Sequence, residues 1–182
     1  MTTIEFRFDE QSFAEDLQQD PVNANPAVLA ETYFVMLVRF CINGIDLLRI
    51  PGREQERFYV HPGQGAERRS YQSEESCWLP LPLLGFATEA VQVLNGLRSG
   101  DEQKLYLAGD GHLTFTRQGD QLSIVSNVGD HNVSCQYDEV LQAFLDFSEK
   151  ARQLLLARIP GMSRHPWWNR WFPSQYKGGQ VI

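Results

Sequence analysis

From residue 104 to residue 137 apolar and polar side chains alternate with a period of two, in four short runs separated by turn residues. The runs cover residues 104–108, 112–117, 121–126 and 132–137, split at Gly109-Asp110-Gly111, at Gln118-Gly119-Asp120 and between Val128 and His131. Leu113 and Phe115 alternate with Thr114 and Thr116, and Leu122 and Ile124 with Ser123, which predicts a β-meander with one face buried and the other in water. The spacing then changes to three and four. Val140, Leu141, Phe144, Phe147, Ala151, Leu154 and Leu155 mark a wide stripe, predicting a helix from near Asp138 to about Ile159 that covers the meander. Asp138 and Glu139 at its start, and Lys150, Arg152 and Arg158 toward its end, suit the helix dipole, and Pro160-Gly161 stops it.

The N-terminal half is patterned differently. Ile4, Phe6 and Phe8 alternate with Glu5, Arg7 and Asp9, as in an edge or half-buried strand. Ser12 and Glu15 have capping-box spacing, which predicts a short helix that turns Phe13 and Leu17 inward and ends by Asp20-Pro21. Pro21, Asn23, Asn25 and Pro26 mark a loop. Residues 32–42 are the most apolar stretch, with Arg39 their only charge, and predict a central strand buried on both faces. Asn43-Gly44 then predicts a type I′ turn, whose two central positions need positive φ, returning a strand over 45–50. Residues 51–76, rich in Gly, Pro, Arg, Glu, Gln and Ser, read as a long polar loop with room for a short strand over 57–60. From Trp78 the chain is apolar and extended, but Pro80 and Pro82 bar it from the centre of a sheet. Phe86, Ala90, Val93 or Leu94, and Leu97 define a second, shorter helix, capped by Gly85 or Thr88 and ended by Ser99-Gly100.

Together these elements predict an α+β fold, an antiparallel meander sheet of about six to seven strands covered by the long C-terminal helix and the shorter one. Residues 1–160 form a single domain and residues 161–182 a basic, Trp-rich tail. At 182 residues and 42% hydrophobic, the chain suffices for one buried core. No apolar run reaches the roughly 18 residues of a membrane span, so no stable membrane insertion is expected. The opening residues mix charge and apolar side chains too early for a signal peptide, and Cys41, Cys77 and Cys135 are odd in number and widely spaced. Both features predict a cytoplasmic protein with reduced thiols, in which the glycosylation pattern Asn132-Val133-Ser134 goes unused.

Charge changes the picture along the chain. From Arg158 onward Arg158, Arg164, Arg170 and Lys177 face no acid, while the preceding 157 residues carry 12 basic and 23 acidic side chains, a net charge of −11. Such a body repels nucleic-acid phosphates and attracts a basic partner. In the tail, Trp167, Trp168, Trp171 and Phe172 would each hide about 150–250 Å² if buried. They either pack back on the acidic body or, with Arg170, form a docking segment for a partner or a membrane surface.

Catalytic and metal-binding patterns are largely missing. His131 and Cys135 are the nearest approach to a ligand pair among His61, His112, His131, His165 and the cysteines, and no Cys-x-x-Cys or His-Glu-x-x-His occurs. Gly109-Asp110-Gly111 and Gly129-Asp130 resemble fragments of ion or phosphate loops but fit hairpin turns better. The adjacent carboxylates Glu74 and Glu75, or Asp138 and Glu139, fit solvated or helix-start charges better than an acid/base pair. The expectation is therefore no catalytic residue, no metal and no cofactor.

The run from Trp78 to Ala87, a helix, the segment from Leu113 to Ile124, and a helix carrying Phe144 and Phe147 resemble bacterial immunity-type proteins that accompany polymorphic toxins. The resemblance spans about residues 32–157 and implies a non-enzymatic cytosolic protein that binds and blocks a partner, here a basic toxin met by the acidic surface. Two other readings stay open: an enzyme or small-ligand binder whose polar groups converge only in three dimensions, and a homodimeric scaffold completed by the tail.

Overall fold

The computed structural model describes residues 1–8, 10–49, 56–61, 65–70, 78–107 and 110–173, with the backbone alone for 56–61 and 65–70. Its first sheet is built on β2 (Val35–Ile42). β1 (Thr2–Phe8) pairs antiparallel with its whole length, from Thr2 opposite Ile42 to Phe8 opposite Met36. The other edge of β2 is shared. β3 (Ile45–Asp46) takes one end through the Asn43-Gly44 turn, where φ is +51° and +84°, as the sequence predicts. β6 (Leu79–Pro82) takes the other end as an edge strand, opposite Val35 to Val38. β3 has two residues where a longer return strand is expected, because the Leu48 N–H turns back to Asp46 Oδ1 (3.1 Å) and buries Leu47 and Leu48.

Two helices precede β2. α1 (Glu10–Leu17) begins ahead of Ser12, so Ser12 lies inside the helix and is not its cap. Its buried stripe is Ser12, Phe13 and Asp16, which leaves Leu17 roughly a quarter-turn away and exposed, correcting the inward placement. α2 (Pro26–Thr32) occupies what reads as loop and the start of a strand. Asn25 caps it by accepting the Ala27 N–H (3.0 Å), with Pro26 in the first helical position, a start signal the loop reading passed over. Between α2 and β2, Phe34 has φ +53°, costly for a bulky residue. Its N–H donates to the buried Asp16 carboxylate at 2.7 Å, and its carbonyl accepts from Leu83 N–H, so the corner is held from two elements.

Residues 51–76 are not one loop. β4 (Glu56–His61) and β5 (Gly65–Ser70) form an antiparallel hairpin there, while 51–55, 62–64 and 71–76 lie outside the described residues. α3 (Leu83–Gly96) starts three residues before Phe86, placing Gly85 inside the helix. α2 crosses α3 at this point, and a Cβ on Gly85 would stand 2.7 Å from the Ala30 carbonyl oxygen.

The meander forms as predicted: β7 (Glu102–Tyr106), β8 (His112–Gln118), β9 (Gln121–Ser126) and β10 (His131–Gln136) pair in sequence order. It is a separate four-stranded sheet, so the single sheet of six to seven strands is corrected to two sheets of four and a hairpin. Period-two alternation assigns faces but does not say which strands are neighbours, and here the first sheet ends at β1 on one side of β2 and at β3 and β6 on the other.

α4 (Tyr137–Arg158) occupies the predicted span to within a residue. Its stripe meets a different surface from the one expected. Phe144 packs on Phe40 and Phe86 (5.1 and 5.8 Å between ring centroids) and Phe147 on Phe6 and Phe86 (5.0 and 5.6 Å). The helix therefore lies on the first sheet and α3 and meets the meander at β10. The inner face of the meander, with Leu105, Leu113, Phe115, Leu122 and Ile124 buried, belongs to the same core cluster as α3 and the Leu47-Leu48 turn. Tyr137 O–H donates to the Leu94 carbonyl (2.7 Å), tying the start of α4 to α3, and Ser126 O–H donates to the Leu47 carbonyl, tying the meander to the turn that leaves the first sheet. Arg117 stands 3.5 Å over the Tyr137 ring and donates to the Leu97 and Gly119 carbonyls (3.0 and 2.9 Å). β1 is an edge strand, guarded by Lys150 over Phe6 and Arg158 over Phe8. No helix among the described residues is long and apolar enough to cross a membrane.

Phe144 joins both sides of this core and is fully buried, so Phe144→Ala is expected to cost about 3–5 kcal/mol in denaturant unfolding. Leu17→Ala, at an exposed position, is expected to change stability by about 0.5 kcal/mol or less.

Candidate functional site

The tail residues singled out by the sequence divide into two groups. After the turn Pro160–Arg164, α5 (Trp168–Trp171) folds back against α3, and Thr88 O–H reaches the Trp171 carbonyl at 3.5 Å. Trp168, Trp171 and Phe172 are buried and belong to the main core cluster, so their surfaces are spent within the chain. Trp167 is half-buried and Arg170 exposed, with the guanidinium 4.2 Å over the indole. His165 organises this turn. Its Nδ1 accepts the Trp167 N–H (3.2 Å), its Nε2 faces the Ala24 carbonyl (3.2 Å), and its ring stacks on Trp171 at 4.6 Å. With Nδ1 accepting from the backbone, Nε2 is the ring nitrogen turned to the Ala24 carbonyl.

The other chemical candidates stay apart. His131 and Cys135 share a face of β10 four residues apart, about 13 Å along a strand, too far to bind one ion. Burial pushes the Cys135 thiol up to about 11, with Glu139 adding to it, so it is protonated and unreactive at neutral pH. Burial and Asp46 likewise raise Cys41. Cys77, Glu74 and Glu75 lie outside the described residues. No group of three or more His, Cys, Asp or Glu that could hold a metal occurs among the described residues. Asp130, with φ +53°, is a hairpin-turn residue, as expected. Asp46 has its carboxyl raised by burial, opposed by the Leu48 N–H and by Arg39, whose Nε is 3.7 Å away. It terminates a strand and makes no link to another acid among the described residues.

The surface left over by the fold is the outer face of the meander. Its outward positions run Glu102, Lys104 and Tyr106 on β7, His112, Thr114 and Thr116 on β8, Gln121, Ser123 and Val125 on β9, and Asn132, Ser134 and Gln136 on β10. Register lines Thr116 with Glu102 and Ser123, and Thr114 with Lys104 and Val125, so hydroxyl and amide groups form a nearly uncharged carpet. Two side chains break the polar phase: Tyr106 is 68% exposed and Val125 is 43%. The turns and strand starts around it carry Asp101, Glu102, Asp110, Asp120 and Asp130, none with an ion-pair partner among the described residues. The result is an open, mostly uncharged centre with an exposed aromatic anchor and an acidic rim.

Sequence reasoning gave this face its phase but missed Tyr106 and Val125. The available signal was an apolar residue in the solvent phase of an otherwise strict alternation. Comparison of the chain with models of known families, with characterised proteins and with solved structures finds no match.

Two outcomes follow from this geometry. The raised carboxyl of Asp46 opposes folding once it ionises, so stability it would otherwise allow is lost as pH rises through its folded-state value. Asp46→Asn keeps an acceptor for Leu48 and is expected to be at least as stable as the parent at pH 7. The difference should vanish below the unfolded carboxylate value of about 3.9, and denaturant midpoints at the two pH values measure it. Truncation after Ile159 removes Met162, Trp168, Trp171 and Phe172 from the core and is expected to lower the melting temperature sharply or cause aggregation, as read by calorimetry.

Proposed function

We propose that the chain is a non-enzymatic protein-binding module whose working surface is the outer face of the meander, and whose partner carries a basic rim. The observation behind this reading is the face itself: Tyr106 and Val125 stand exposed on a Ser/Thr/Asn/Gln carpet whose one cation among the described residues is Lys104, edged by five acids. Neutral centres with an aromatic anchor and a charged rim are how protein interfaces are built, and tyrosine is among the residues that dominate their energetics. Four strands at ~4.8 Å and six residues at ~3.4 Å give a plane of about 400 Å². A stable interface takes about 800 Å² per partner, so the acidic turns must join the contact.

That rim chooses the partner. An acidic edge disfavours nucleic acid and a second copy presenting the same face, while it speeds encounter with a basic protein. The resemblance to bacterial immunity-type proteins gives the reading a concrete form, a cytoplasmic protein that occludes a basic toxin. On the small-ligand alternative, the polar groups of the face lie on an open surface and not in an enclosed site.

The test is binding to the proteins encoded beside this chain, measured by calorimetry at two ionic strengths. Tyr106→Ala is expected to weaken a binding pair tenfold or more, about 1.4 kcal/mol. The double variant Asp110→Lys, Asp130→Lys should slow association and flatten its salt dependence. Unchanged affinity in both variants would contradict the assignment.

A further inference from the structure

The turn that carries Trp167 bounds a second surface, an uncharged cleft with arginine stacked at its edge, and we infer that it binds an acidic, proline-containing peptide segment. Val22, Asn23, Ala24 and Pro26 from the segment before α2, with the buried His165, Pro166 and Trp167 from the C-terminal turn, line an open cleft of about 270 Å³. That volume is just below the roughly 300 Å³ at which small-molecule sites begin, and an open, proline- and tryptophan-lined trough of this kind suits an extended segment better than an enclosed ligand.

Three features set the chemistry of the occupant. The Trp167 indole is half-buried, and its ring N–H has no hydrogen-bond partner among the described residues, leaving one donor for a peptide carbonyl. Arg170 lies over the indole at 4.2 Å and Arg164 is exposed on the same turn, neither with an ion-pair partner among the described residues. These two cations call for carboxylates. An acid stands at the edge of the cleft: the lining residue Asn23 donates its side-chain N–H to the Asp20 carboxylate at 2.8 Å, so its Oδ2 is engaged within the chain. Polyproline II segments suit such troughs because they are extended before binding, so less order is imposed on contact. The walls are rigid: His165 is held through both ring nitrogens, and Trp171 and Met162 behind it are buried. This surface is separate from the meander face and does not rest on the function proposed for that face.

The experiment titrates the full chain with a peptide of alternating glutamate and proline, following tryptophan fluorescence and calorimetric heat. Parallel titrations use a Lys-Pro peptide, a Glu-Ala peptide and vesicles of anionic phospholipid. Saturable binding of the Glu-Pro peptide is expected, weakened tenfold or more by Trp167→Ala and by Arg170→Glu. Both variants are checked for an unchanged melting temperature, and Arg170→Glu, at an exposed position, serves if Trp167→Ala does not fold. The Lys-Pro peptide should not bind, and the Glu-Ala peptide should bind more weakly. No saturable binding of the Glu-Pro peptide overturns the inference. So does equal binding of the Lys-Pro or Glu-Ala peptide, unchanged affinity in Arg170→Glu, or binding of vesicles alone.

Discussion

Everything in this fold is arranged about a strand, β2, that is buried on both faces at every position but Arg39. Met36, Val38, Phe40 and Ile42 point into the main core, while Val35, Leu37 and Trp78 form a second buried cluster on the opposite face. A strand buried on both faces must have every backbone group paired and both ends fixed, because an orphaned amide there costs as much as a lost hydrogen bond. β1 satisfies one edge, and β3 and β6 divide the other. At one end Asn43 and Gly44 supply positive φ; at the other the Asp16 carboxylate holds Phe34 in a conformation a bulky side chain avoids. The cost of that corner is offset by the complete burial of Phe34.

From this strand the remaining layers follow. Phe40 presents a ring to Phe144, so α4 settles on the first sheet, and α3 fills the space between them through Phe86. The meander then packs one face on α3 and the Leu47-Leu48 turn, and its other face has nothing laid over it by the described residues. Charge is segregated on the same plan. Acids collect at the turns of the meander, and arginines on the C-terminal turn, where Arg158 also ties back to Glu10 through both carboxylate oxygens. The two exposed surfaces that result would recognise partners of opposite sign.

Much of this could be read from the sequence where one element's pattern decides the matter. The meander strands, the Asn43-Gly44 turn, the double-sided burial of β2, the edge position of the Pro80-Pro82 segment and the span of α4 all follow from local periodicity and turn chemistry. What failed was non-local. Alternation in Leu113 to Thr116 says which way side chains point and nothing about whether β1 or β8 lies beside β2. The stripe on α4 is equally apolar toward either sheet, and only the placement of Phe6, Phe40 and Phe86 decides which one it meets. Gly85 looked like a cap because glycine often ends helices, whereas here it admits the Ala30 carbonyl. In the tail, aromatic content cannot separate core from surface: Trp168 and Trp171 are buried while Trp167, their neighbour, is half-exposed. The candidate site was the least legible part, since a docking face is recognised by what does not cover it.

The central claim is that the outer meander face serves recognition and not folding. The most direct measurement compares unfolding free energy with partner affinity in a single variant carrying Tyr106→Ser and Val125→Thr. Stability within about 0.5 kcal/mol of the parent, with affinity reduced, is the predicted result. A loss of stability with affinity intact would contradict it.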